Sequence, residues 1–263
     1  MSASLIKDFL GSLRSPDHWL YASWLSVVTS TRRHFLGIFW LVFPVMVYIW
    51  GIGWFMAMLN PGKVRPFMAH VGISYVLFRL VVGIVNECSV VYRASAPYIN
   101  DGKTRYTDYL LSAHARSLFI FFFSFPVVFV ALLMSEQFDP AGIPMALVGS
   151  LLLIFITFTW AVPISFLGSK LPDFAEFIGN LTMALFLVTP IIWYPAAAPE
   201  GTLQGSFMRA NPLHHLIAIV RAPLVGESIE PLTWTYLGIM AGSGLMLSVV
   251  CYRAFSKKVP MWI

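Results

Sequence analysis

"FWLVFPVMVYIWGIGWF", residues 39–55, runs for seventeen residues without a charged side chain. Its apolar residues neither alternate nor form a single stripe, so it is not written for a half-buried strand or a surface helix. A block of this length is written to cross the hydrocarbon of a bilayer, which takes about 20 residues of helix. Similar blocks recur along the chain. The 263 residues are 58% hydrophobic and only 11% charged, where a soluble domain carries about 25% charged residues. A larger soluble core does not account for that shortfall. The sequence therefore predicts an all-α integral membrane protein, with residues 1–263 forming one transmembrane domain.

Six spans are expected, at roughly 35–58, 67–92, 115–134, 143–169, 174–194 and 233–255. An even number puts both chain ends on one side. With the ends placed in the cytoplasm, the inner set of cations is Lys7, Arg14, Arg32, Arg33, Arg93, Lys103, Arg105, Arg116, Lys170, Arg253, Lys257 and Lys258. The outer set is Lys63, Arg65, Arg209 and Arg221. Positive charge marks the cytoplasmic side, and this bias explains the net charge of +5 without nucleic acid as a partner. The first ten residues contain Lys7 and Asp8 and lack the apolar core of a cleavable signal peptide. Cys88 and Cys251 lie inside apolar blocks and make no disulfide framework.

Between the spans, three segments stand out. Residues 16–31 open with Ser15 as N-cap and Pro16 in the first turn. Leu20, Trp24, Val27, Val28 and Thr31 follow at helical spacing, which predicts an amphipathic helix in the cytoplasmic interface. Residues 93–114 form a cytoplasmic loop with mixed charges and tyrosines, turning at Asp101-Gly102. It is either a docking surface for another protein or a solvated connector. Residues 195–232 form the longest outer loop. Within it Asn211 caps and Pro212 starts a helix, Leu213, Leu216, Ile217 and Val220 make an apolar face, and Pro223 ends the pattern. Such a helix is too short to cross and is expected to dip in from the outer surface.

Gly102-Lys103-Thr104 resembles the tail of a phosphate-binding loop. The first glycine of that loop is replaced by Pro97, which fixes φ and removes an N–H donor. A span-length apolar block also precedes it, where a strand is required. ATP binding by this chain is not expected.

Polar residues within spans mark function or paired contacts, because each is costly in hydrocarbon. Tyr75, Arg79, Asn86 and Arg93 share one face of the second span. Glu87 is turned away from Arg79, toward a positive group on a neighbouring helix. Trp40, Phe43, Val47, Trp50 and Trp54 share a face of the first span. Aromatic faces stack on sugar rings, so this stripe, with Tyr75 and Arg79, is the candidate substrate path; packing or lipid contact is the alternative. His214 and Arg221 share a face of the outer helix and suit a headgroup or an anion. His214 and His215 point apart and have no Cys, Asp or Glu at metal spacing beside them, so neither a metal site nor a catalytic set is expected.

Four stretches carry a family likeness: "RRHFLGIFW" at the first span, "NEC" at 86–88, "VTPIIWYP" ending the fifth, and "NPLHHLIAIVRAPLVG" in the outer loop. With the closing "RAFSKKVPMWI", they resemble the membrane-spanning subunit of ABC-2 type exporters of O-antigen, capsular and related bacterial surface polysaccharides. The resemblance implies a six-helix protomer in the bacterial inner membrane that pairs with a second copy of the same chain. It implies two copies of a separate ATPase subunit, which bind the ATP and Mg²⁺; no cofactor is expected in this chain. It places Trp24, Arg32, Arg33, Asp101, Lys103 and Arg105 at the ATPase docking surface. It makes the outer segment with His214, His215 and Arg221 a pair of short re-entrant helices near the exit, and the cargo a lipid-linked glycan. An ion-coupled secondary transporter and a membrane-embedded transferase are the other readings. The first would show two related halves with interrupted helices, the second an acid–base or metal set.

Overall fold

A computed structural model describes residues 4–32, 34–59, 64–102 and 104–263. Arg33 and Lys103 lie outside the described residues. Among these residues every regular element is helical. The chain runs through α1 (Leu5–Arg14), a π-helical turn Asp17–Tyr21 leading into α2 (Ala22–Arg32), and α3 (Phe39–Met46). It continues through α4 (Trp54–Met58), α5 (Val64–Ala94), α6 (Ala96–Asn100), α7 (Tyr106–Leu133) and α8 (Ile143–Lys170). Then come α9 (Phe174–Val188), α10 (Leu203–Ala210), α11 (Pro212–Leu224) and α12 (Pro231–Phe255). Five helices are long and apolar enough to cross a membrane: Phe39–Met58, Val64–Ala94, Tyr106–Leu133, Pro140–Lys170 and Pro231–Phe255. This is a helical, multi-pass membrane protein.

The first of these is continuous through a π-helical stretch at Val47–Gly53. Its buried positions are Val45, Ile49, Gly53 and Ala57, one every fourth residue. An α-helix drifts by 40° over four residues; the wider i→i+5 turn offsets that drift and keeps all four on the core side. The opposite side carries Trp40, Phe43, Val47, Trp50 and Trp54, which are 37–48% exposed. The shared face expected of the aromatics is present.

The centre of the bundle is α5, with 72% of its most apolar window buried against 17–44% in the other long helices. It touches the first span, α7, α8 and α9. Glycine lets α8 approach it: a methyl group on Gly168 would run into the carbonyl oxygen of Ser89, with the Ser89 carbonyl carbon 2.7 Å away. Arg93 donates from Nε and Nη2 to the Ser169 carbonyl at 3.2 and 3.0 Å, satisfying an end carbonyl that α8 itself leaves open. Glu87 meets Arg116 of α7 at 3.4 Å, the cross-helix partner its position predicted.

Two expected boundaries move. The segment 174–194 gives a helix of only 15 residues, Phe174–Val188, about 22 Å long against a hydrocarbon core of about 30 Å. Pro190 is the reason: it lacks an N–H and drives Thr189 to extended backbone, where Thr189 has ψ 133°. The loop expected at 93–114 shortens, because α7 starts at Tyr106 with Asp108 Oδ2 accepting the Arg105 backbone N–H at 2.9 Å. Asp108 therefore opens a 28-residue helix. Within the remaining connector Gly102 has φ +70°, the left-handed turn that Asp101-Gly102 signalled.

The segment 16–31, expected to be an interface helix, is helical over Asp17–Arg32 but buries a different face from the one predicted. Its buried residues are Ser23, Val27 and Thr31, a small and partly polar face, while Leu20 and Trp24 stay exposed. Ser23 Oγ bonds to the carbonyl and hydroxyl of Ser112 at 3.0 and 2.9 Å. Small residues let this helix lie close on α7, which turns the larger apolar side chains outward. The preceding helix, α1, was not anticipated. It is tied down by Ser12 Oγ to Thr107 Oγ1 at 2.6 Å and by Tyr252 OH donating to Asp8 at 2.7 Å. That last contact puts α1 and the end of α12 at the same end of the bundle.

Candidate functional site

At the opposite end, α5, α11 and the segments beside them enclose a group of ionisable side chains. Asn211 Oδ1 accepts the Leu213 N–H at 3.0 Å, so Asn211 and Pro212 start α11 as the sequence predicts. Eleven of its thirteen residues are buried, and it packs mainly against α8.

Arg221 is 2% exposed. Its guanidinium donates to the Pro190 carbonyl at 3.0 Å, to Ser74 Oγ at 3.3 Å and to Glu227 Oε2 at 3.4 Å. The Pro190 carbonyl is freed by the same helix break that ends α9, so Arg221 fills a need that the proline creates. On the other side of Glu227, its Oε1 lies 3.9 Å from His70 Nδ1. His70 Nε2 bonds to the Trp193 carbonyl at 3.1 Å, and the Tyr194 ring packs on the imidazole at 4.6 Å between centroids. A cavity of about 730 Å³ with a mixed lining opens beside this cluster; Gln137, Tyr194, Glu227, Ser228 and Glu230 are its polar residues.

A second layer lies alongside. Arg209 forms a two-pronged contact with Glu230 at 2.9 and 3.2 Å. His215 bridges the Arg209 carbonyl at 2.8 Å and Thr233 Oγ1 at 3.0 Å. Burial, then Arg221, push His214 down to about 3, so that ring is neutral. His214 and Arg221 were expected to share a face for a headgroup or an anion. They are near each other, but both are buried and Arg221 is committed to internal acceptors. Among the described residues no group of three or more His, Cys, Asp or Glu stands together as a metal site.

Arg79 and Tyr75, assigned to the substrate path, are partly buried. Arg79 Nη1 donates to the Leu41 carbonyl at 2.7 Å, and Ser124 Oγ reaches the same oxygen at 3.3 Å. Pro44, three residues on, disturbs the hydrogen-bond ladder of that turn. Tyr75 stacks on Tyr48 at 3.7 Å. Both side chains therefore brace the first span from behind, while Trp40, Phe43, Trp50 and Trp54 face away from the core.

Arg32, Asp101 and Arg105 are exposed. Trp24 sits edge-on to Phe119 at 5.4 Å and over Phe123 at 6.0 Å. The Arg105 side chain lies across α1 at Gly11, where a methyl group would come within 2.8 Å of its Nε. Sequence reasoning missed His70, Glu227 and Tyr194. The one available signal was a histidine inside an apolar span, since such residues seek a partner.

The fold and its polar end define a multi-pass helical membrane protein with a buried ion-pair cluster. The chain matches no family model and no curated protein.

Proposed function

We propose that this chain is the permease subunit of an ATP-driven exporter that moves a lipid-linked polysaccharide across the bacterial inner membrane. It acts as a homodimer with two copies of a separate ATPase subunit. The observation that carries this reading is the aromatic face of the first span, 37–48% exposed along its length in one copy. A row of rings presents a surface that a sugar polymer can slide over with little sequence preference. The contact between Asp8 and Tyr252 favours chain ends on one side. That needs an even number of crossings, which the five long helices reach if α9, with the bent residues 189–193 after it, makes a sixth. The cation bias then favours the cytoplasm for the α1 end, where Trp24, Arg32, Asp101 and Arg105 would meet the ATPase.

Affinity purification of the tagged chain from its own host tests this. A soluble ATPase is expected to come down with it, and vanadate is expected to stop glycan export. Transport by the purified chain alone under a proton gradient would overturn the proposal. The double replacement Trp50→Ala/Trp54→Ala is expected to slow export roughly ten-fold, equivalent to about 1.4 kcal/mol in the barrier, with membrane assembly unchanged. Normal export would return the stripe to packing. Arg105→Glu keeps the backbone cap of α7 and reverses one exposed charge. It is expected to cut recovery of the ATPase several-fold at unchanged expression, and equal recovery would remove Arg105 from the docking surface.

A further inference from the structure

Between α7 and α8 the bundle is open. An apolar cavity of about 580 Å³ has its floor on Ile73, Leu77 and Leu80 of α5 and its far end at Val220 and Leu224 of α11. A second, of about 440 Å³, continues toward α1, ending at Phe9, Leu13 and Trp19. Leu118, Phe122, Leu151 and Ile154 line both, so the two form one groove along the membrane-spanning helices. Its rims are apolar and face outward, with Phe122 64% and Leu151 69% exposed.

One polar side chain faces the α1 end of this groove. His114 is 3% exposed and lines the second cavity. Its Nδ1 lies 2.9 Å from the Leu110 carbonyl of its own helix. A carbonyl only accepts, so Nδ1 carries the proton and Nε2 is a bare acceptor on the far side of the ring. Nε2 is buried and has no hydrogen-bond partner among the described residues. A buried acceptor of this kind is costly unless a donor reaches it.

Depth identifies the donor. The 28 residues of α7 span about 42 Å, about 12 Å more than the hydrocarbon core. The surplus belongs to its polar first turns, since its other end, "VVFVALL", is apolar. His114 is eight residues from Tyr106, about 12 Å along the axis, and so stands at the border between acyl chains and headgroups.

We propose that the groove between α7 and α8 is a phospholipid site. One acyl chain lies along Leu118, Phe122, Leu151 and Ile154, and a headgroup N–H or O–H donates to His114 Nε2. An amphiphile satisfies both requirements at once. The apolar face of a second copy would cover the rims and leave the acceptor bare. This site is separate from the aromatic face of the first span and does not depend on the transport reading.

The test is native mass spectrometry of the full chain, released from nanodiscs holding equimolar phosphatidylethanolamine, phosphatidylglycerol and phosphatidylcholine. Wild type is expected to retain one lipid per chain. A lipid with a donor headgroup should be favoured over phosphatidylcholine, which has none, by about five-fold, the discrimination one hydrogen bond supplies. Ethanolamine lipid alone would name an ammonium as the donor, glycerol lipid alone a hydroxyl. His114→Leu should keep a lipid but lose the preference. Ser150→Trp, which fills the groove, should lose the lipid. Acyl-diazirine phosphatidylethanolamine should label wild-type peptides from α7 and α8. Equal retention of all three lipids by wild type would overturn the proposal whatever the variants do. So would a lipid-free dimer, or labelling elsewhere only.

Discussion

Glu227→Gln is expected to destabilise the folded protein by about 3 kcal/mol, more than removal of the arginine it faces. Breaking a buried pair from one side costs about 3–5 kcal/mol, because the charge left behind is uncompensated. The two partners here are not equally buried: Arg221 is 2% exposed and Glu227 33%. Removing the glutamate strands a guanidinium in the interior. Removing the arginine strands a carboxylate that water reaches, which is also why the estimate stays at the low end of the range. Arg221→Met should cost about 2 kcal/mol, chiefly through the Pro190 carbonyl and the Ser74 hydroxyl it leaves short of a donor. The double variant should then be more stable than Glu227→Gln alone, since the stranded charge has gone. Unfolding midpoints of the four proteins in one detergent give the coupling. If the two single effects add, the pair is not the unit that holds this end together.

The second large effect concerns glycine. Gly168→Ala should cost about 2–3 kcal/mol, at the top of the range for overpacking. The new methyl group meets the Ser89 carbonyl, and backbone within a buried helix cannot swing aside as a side-chain end would. Gly238→Ala, in α12, should do the reverse. Nothing lies within 4 Å of the methyl group it adds, and alanine is favoured over glycine in a helix by about 0.5–1 kcal/mol. Both sites are glycines in apolar helices, so their sequence surroundings do not separate them; thermal unfolding of the two variants side by side will. A loss of stability at Gly238 only in membranes that support dimers would mean that a second copy covers this face.

Helix content and membrane residence were legible in the sequence, because both follow from sums over a window. A run such as residues 39–55 is apolar whatever it packs against, and a break such as Pro190 or a cap such as Asn211 acts through its own backbone. The aromatic face of the first span was legible as well, since helical spacing alone brings Trp40 to Trp54 together. The cross-helix partner of Glu87 was half legible: the cost of a charge in hydrocarbon demanded one, but only packing chose Arg116.

The polar end was not legible. His70, Tyr194 and the neighbouring pair Arg221 and Glu227 come from three separate parts of the chain, and their meeting depends on where α11 folds back against α5 and α8. Periodicity gave α11 one apolar face and a length too short to cross, which read as a helix dipping in from the outer surface. Tertiary packing closed over its other side, because neutral histidines and an arginine with internal acceptors can be buried. Composition decides that a helix enters the membrane; which polar groups it carries inside depends on the partners waiting there, and only the assembled bundle supplies those.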